Sequence, residues 1–148
     1  MTKRKVWRCV ECGVGKVRPF ARAGRQARHR TMMLELPADL AIPTCDRCGT
    51  EWFDDTVAHQ VDDVLEGLYR GELRARVRAA IDVLTRHASQ RKMERMLGLS
   101  HGYLSKLRNG TSDPSPELVG NLALLARDPE NRIRELSDFW GLGDDDAA

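Results

Sequence analysis

Four cysteines, through their placement, restrict this chain more than any other feature. All lie in its first third, as Cys9-Val10-Glu11-Cys12 and Cys45-Asp46-Arg47-Cys48. Two residues between cysteines let both sulfurs of one turn reach the same ion, and a glycine after each pair (Gly13, Gly49) permits a tight backbone there. Two such turns supply four thiolates, the tetrahedral set that Zn²⁺ prefers at a closed structural site. One structural Zn²⁺ per chain is therefore expected on Cys9, Cys12, Cys45 and Cys48. A redox site ordinarily needs a single such pair in a βαβ setting, and none is visible. Catalytic zinc is disfavoured because four thiolates leave no open coordination position. Thirty-two residues separate Cys12 from Cys45, more than the usual ~15–20, so this loop is expected to hold its own hairpin.

The same cysteines suggest how 148 residues are divided. A piece of roughly fifty residues buries too little to fold without a staple, and a metal supplies one. Residues 1–53 are broken by Gly13, Gly15, Pro19, Gly24, Pro37 and Pro43, which excludes a long helix and suits short strands such as Thr31–Leu36. From Asp54 onward the apolar residues take a helical period, as Val57, Val61, Val64, Leu65 and Leu68, with Thr56 as a candidate N-cap. Gly71 is expected to interrupt this helix. Leu73, Val77, Ala80, Ile81 and Leu84 resume the period. The expected organisation is a cysteine module at 1–53, a linker helix at 54–71, an all-helical domain at 72–142 and an acidic tail at 143–148. The expected fold class is α+β: a small β-rich zinc-binding domain followed by about five helices.

MTKRKVWRCV carries no apolar stretch of the ~7–15 residues a secretion signal needs. No run approaches the ~18 of a membrane span, so a cytoplasmic protein with no membrane partner is expected. Reduced cysteine pairs in cytosol are more often metal ligands than disulfides. Charged residues make up 31% of the chain yet the net charge is only +2, so their distribution matters more than their sum. Lys16, Arg18, Arg22, Arg25, Arg28 and Arg30 form a basic stretch whose only aromatic is Phe20. Such a stretch reads equally as a surface for phosphate or an acidic protein and as a solvated hairpin face. The four histidines are scattered and offer no nucleophile–base set, so no enzyme is expected.

The segment 89–110, SQRKMERMLGLSHGYLSKLRNG, has the pattern of two short helices about a tight turn. Ser89 can cap the first, Gly98 ends it, Leu99 plugs the turn and Ser100 can cap the second. Met93, Leu97, Leu99, Leu104 and Leu107 would make the shared core, and Asn109-Gly110 would close the second helix. A helix-turn-helix is built in this way, with its second helix presented to the major groove. Ser100, His101, Gly102, Tyr103 and Lys106 lie off the apolar stripe and are the candidate base-reading set. Gln90, Arg91, Lys92, Arg108 and Asn109 are candidate phosphate contacts. Ser115-Pro116 and Asp128-Pro129 read as N-cap followed by proline at the first helical position, opening two more helices. In the last of these, Ile133, Leu136, Phe139 and Trp140 make an apolar stripe that serves either the domain's own core or a homodimer contact.

Gln90, Gly98-Leu99-Ser100 and Asn109-Gly110 together resemble the lambda-repressor-like (XRE-type) helix-turn-helix family. Glu94 stands where that family usually has a small residue, with Gly102 nearby to make room. Two cysteine pairs followed by this element resemble the MqsA/YgiT-type antitoxins, with Gly24-Arg25 and Pro114-Ser115-Pro116-Glu117-Leu118 as weaker support. That resemblance implies a zinc domain that neutralises a toxin and a C-terminal domain that dimerises on palindromic double-stranded DNA as a transcriptional repressor. The asparagine and arginine that read bases in that family correspond here to Gly102 and Lys106, so its operator sequence does not carry over.

Overall fold

The structure, a computed structural model, describes residues 6–143; the acidic tail expected after Gly143 lies outside the described residues. The fold is α+β, with five strands preceding five helices among the described residues. The chain divides into two compact units, Met1–Tyr69 and Arg70–Ala148.

In the first unit, β1 (Trp7–Arg8), β2 (Lys16–Ala21) and β5 (Ala41–Cys45) form an antiparallel sheet in the order β1-β2-β5. The hairpin expected between the cysteine pairs is β3 (Gln26–His29) with β4 (Met32–Glu35). Its turn places Arg30 at φ 52. Strand alternation puts Val17 inside, opposite Cys45, while Lys16 and Arg18 face out.

Arg25 departs from the basic stretch around it. It is buried, and its guanidinium donates to Glu51 Oε1 at 2.8 Å, to the Leu40 carbonyl at 3.0 Å and to the Phe20 carbonyl at 2.9 Å. A buried charge is tolerated when paired and hydrogen-bonded in this way. Arg25 is thus an interior brace rather than part of a surface.

Helix α1 (Asp55–Leu84) corrects two sequence expectations. Its N-terminus is capped by Asp54, whose Oδ1 accepts the Val57 N–H at 2.9 Å, not by Thr56. It also runs unbroken through Gly71. A glycine inside a helix costs only ~1 kcal/mol relative to alanine, less than the burial of Tyr69, Leu73 and Val77 on either side returns.

In the second unit, α2 (Gln90–Met96), α3 (Tyr103–Asn109), α4 (Pro116–Arg127) and α5 (Pro129–Trp140) follow the last turns of α1. Ser89 caps α2 through the Lys92 N–H, and Ser115 caps α4 through the Leu118 N–H. Asp128 stands at the cap of α5 but makes no side-chain cap bond. Its carboxylate instead accepts from Asn131 Nδ2. Ile81, Leu84, Met93, Met96, Leu104, Leu107 and Leu122 are all essentially inaccessible and form the heart of this unit. Among the described residues no helix is long and apolar enough to cross a membrane.

Candidate metal centre and nucleic-acid interface

The fold brings the two cysteine pairs together from the two edge strands of the three-stranded sheet, at the end where β2 begins. Cys9 and Cys12 follow β1, whereas Cys45 ends β5 and Cys48 lies in the turn beyond it. All four sulfurs lie within 4.8 Å of one another. Cys9 to Cys48 and Cys12 to Cys45 are both 3.7 Å apart, far beyond a disulfide bond. Backbone amides aim at this cluster, from Gly15 to Cys12 Sγ at 3.3 Å and from Arg47 to Cys45 Sγ at 3.4 Å. The Val14 and Gly15 amides favour the thiolate form of Cys12. Gly15 is buried, and a Cβ added there would overlap the Cys45 sulfur and sit 2.9 Å from Arg47 Cβ. The chain must be bare at that position for the sulfurs to converge.

The electrostatics of the bare cluster are frustrated. The Thr50 hydroxyl and amide hold Cys48 down to about 6. The Cys12 amide favours the Cys9 thiolate, yet burial and the adjacent Cys45 and Cys48 sulfurs push Cys9 up to about 11. Four crowded sulfurs cannot all ionise unless a cation shares the space. The donor set therefore fits a metal ion held by Cys9, Cys12, Cys45 and Cys48. With Val17, Trp7 and Trp52 packed against it, the cluster is also the local core.

In the second unit, α2 and α3 meet across a turn stopped by Gly98 at φ 65. The structure corrects the start of the second helix. Ser100 and His101 lie in the turn, α3 opens at Tyr103, and its N-cap is Gly102 at φ 79 with no side chain to offer. Glu94 supplies the missing acceptor. Its carboxylate, on a residue only 2% exposed, takes the Gly102 N–H on Oε2 at 3.0 Å and the Leu104 N–H on Oε1 at 3.0 Å. Gln90 Nε2 donates to the same Oε1 at 3.0 Å, and Gln90 Oε1 accepts from the Ser105 hydroxyl at 3.1 Å. Burial raises the pKa of Glu94, but the Gly102 and Leu104 amides, Gln90 and nearby His101 outweigh it and hold the carboxyl below its ordinary range. A side chain from α2 thus supplies the cap that Gly102 itself lacks.

Leu104 and Leu107 point inward, leaving Ser100, His101, Lys106, Arg108 and Asn109 exposed, with Gly102 and Tyr103 half-buried. Gln90 is turned inward by the network, while Arg91 is exposed and Lys92 half-buried. Arg108 reaches back to α1, its Nη2 lying 2.7 Å from Asp82 Oδ1 as an ion pair off the hydrogen-bond direction. At the other end of the unit, the apolar stripe of α5 divides. Ile133 is buried, Leu136 is half-buried, and Phe139 and Trp140 are 74% and 58% exposed and stacked edge-to-face. Leu136 lines an apolar groove of about 560 Å³ with Leu97, Leu124 and Leu125.

Residues 86–125 match the helix-turn-helix family model, a stretch holding all of α2 and α3 and most of α4. The helical unit therefore contains a DNA-binding regulator domain, and the cysteine cluster lies outside the matched stretch. A comparison of the chain with curated proteins finds no match.

The roles of Glu94 as a cap, Arg25 as a brace and Asp82 as the partner of Arg108 were not legible in the sequence. Only Glu94 left a signal there, as an acid in a position where the two helices must pack.

Proposed function

We propose that this protein is a sequence-specific DNA-binding transcriptional repressor that works as a homodimer and carries one structural Zn²⁺ on Cys9, Cys12, Cys45 and Cys48. The reading rests on one observation above all. Within a helix-turn-helix whose Met93, Met96, Leu104 and Leu107 are buried, the second helix and its approach carry exposed His101 and Lys106 and half-buried Tyr103 on the other side. These can hydrogen-bond to base edges in the major groove, Lys106 to guanine and His101 or Tyr103 beside a thymine methyl. Ser100 completes the reading segment through its hydroxyl, and Gly102, whose N–H and carbonyl are both bonded within the protein, contributes by leaving room for a base edge. Arg91, Lys92 and Asn109 flank it as phosphate contacts, with Gln90 and Arg108 held close by their own partners. Zinc is the ion of choice because four thiolates are the closed tetrahedral set it prefers; two of the sulfur pairs stand 3.7 Å apart and all four sulfurs lie within 4.8 Å.

Dimerisation through α5 is supported by the exposed Phe139 and Trp140 and by the apolar groove that Leu136 lines, apolar surface a small unit does not usually leave uncovered. Two recognition helices on one face of DNA require a palindrome with half-sites about 34–36 Å apart. The test is a gel shift with DNA from upstream of the gene, repeated across salt. Binding is expected to fall ~10³–10⁵-fold from low to moderate salt as phosphate contacts release counterions. Lys106→Ala is expected to cost ~1–3 kcal/mol on the true site. Binding unchanged in a His101/Tyr103/Lys106 triple alanine variant would overturn the reading.

The alternative is a toxin-neutralising antitoxin that grips its partner through the zinc module. A groove of about 380 Å³ flanked by Arg18, Phe20 and Arg22 beside Cys45 favours it, since aromatic and arginine side chains are those that anchor protein interfaces. Co-purification with the product of a neighbouring toxin gene, lost in Phe20→Ala, tests this reading.

A further inference from the structure

Three donors converge on the Glu94 carboxylate, and two of them are backbone N–H groups of the segment assigned above to base reading. Helix α3 has no cap of its own, because Gly102 carries no side chain. The pose of 100–105 is therefore set from α2, by one side chain acting across the turn. The network also fixes what remains for DNA. The Gly102 and Leu104 amides, the Ser105 hydroxyl and the Gln90 carboxamide are all engaged internally.

We propose that Glu94 is a positioning residue for operator recognition: with Gln90 and Ser105 it holds the recognition segment in one register, so that sequence discrimination depends on its charge while general affinity for DNA does not. This rests on the DNA-binding reading. Phosphate attraction is supplied by surface lysines and arginines and tolerates small shifts of the helix. Base-edge hydrogen bonds do not, because a donor displaced by a fraction of an ångström loses its partner. The chemistry also makes the acid irreplaceable by its amide. Gln90 can turn its own carboxamide, but the Gly102 and Leu104 N–H groups cannot turn, and they address different carboxylate oxygens. In Glu94→Gln one of those oxygens becomes an NH₂ group and one backbone donor is left facing a donor.

The test uses the full zinc-loaded chain and compares wild type, Glu94→Gln and the milder Ser105→Ala. Binding to upstream DNA and to random duplex of equal length is measured well below the melting temperature. In Glu94→Gln the ratio of specific to random affinity is expected to fall by about 10-fold or more, the size of one lost buried hydrogen bond. Affinity for random DNA should stay within about threefold, since no phosphate-contacting cation is removed. Ser105→Ala should move the ratio in the same direction by about two- to threefold, and carries the test if Glu94→Gln does not fold. A spectroscopic readout accompanies this. The Gly102 and Leu104 amide proton resonances should lie downfield in wild type, shift together on acidification below the ordinary carboxylate range, and lose both properties in Glu94→Gln. An unchanged ratio in folded Glu94→Gln, or an equal loss on both DNAs, overturns the proposal and leaves the DNA-binding reading standing. A wild-type protein with no preference for its upstream DNA defeats that reading, and the proposal with it.

Discussion

The cysteine end of the first unit and the helical second unit solve the same problem by different means. Around the sulfurs the buried hydrophobic residues are Cys9, Val17 and Cys45, with Trp7, Cys12 and Trp52 half-covering them. Short strands joined by tight turns have little else to bury, and a bond network through the proposed metal would replace the apolar contacts they lack. The second unit needs no such device. Its helices interdigitate Ile81, Leu84, Met93, Met96, Leu104, Leu107 and Leu122, and the Glu94 carboxylate buried among them has both oxygens partnered. One region is held by a few strong bonds of fixed geometry, the other by many weak contacts that depend on shape. They should therefore fail under different insults.

The largest separation is expected from the metal. Removing it with a chelator, or replacing Cys45 by serine, takes away a site whose binding energy of ~10–16 kcal/mol is folding energy. The β1-β2-β5 sheet should lose its dispersed amide resonances while the helical signal in circular dichroism largely persists. A sheet that remains ordered without metal would erase the contrast. The converse insult is Leu122→Ala, a cavity under a side chain with no exposure. It should cost ~2–5 kcal/mol in chemical denaturation of the helices and leave zinc content at one per chain. Loss of zinc in that variant would mean the two regions are coupled.

Acid should order the two failures. Thr50 holds Cys48 as a thiolate down to about 6, and protons compete with the metal for all four sulfurs as pH falls. Glu94 is depressed below the ordinary carboxylate range, so its contribution is complete at neutral pH and lost only as pH drops through that lower value. A pH titration followed by metal release and by helix content should therefore show the metal leaving first. The reverse order would mean that Glu94 is not the acid-sensitive group of the helices. The smallest effect on stability is expected from Phe139→Ala with Trp140→Ala, since both rings are exposed. Folding of the monomer should change by less than about 0.5 kcal/mol, yet sedimentation should show dimer converting to monomer. A dimer that survives would place self-association elsewhere.

How much of this was legible in the sequence differs between the regions for the same physical reason. The convergence of the four cysteines could be read directly, because a metal site needs particular atoms at particular spacing, and C-x₂-C announces both. The helices were legible as periods and caps, with Ser89, Ser115 and Gly110 where expected. Their ends were less so. Asp54 displaced Thr56 as the cap of α1, and Gly102 displaced Ser100 before α3, because several nearby residues could serve and only packing selects among them. Long-range polar partners were not legible at all. Nothing local says that Arg25 turns inward to Glu51 while Arg18 and Arg28 face out, or that Arg108 finds Asp82 on α1. Such pairs join residues 26 positions apart in the chain, and sequence periodicity carries no term for them.

Gly15 offers a last consequence, in the language of mutational tolerance. At Gly102 the constraint is the backbone angle, which asparagine or aspartate can accept at modest strain. At Gly15 the constraint is volume, since the first carbon of any side chain falls on the Cys45 sulfur. Every amino-acid replacement adds that carbon, so a saturation scan of this position should give a row uniformly depleted from alanine to tryptophan, as flat as the rows of the cysteines themselves. The cysteine cluster thus has a fifth position expected to tolerate no replacement although it contributes no sulfur, and it can be found only by asking where an atom is forbidden.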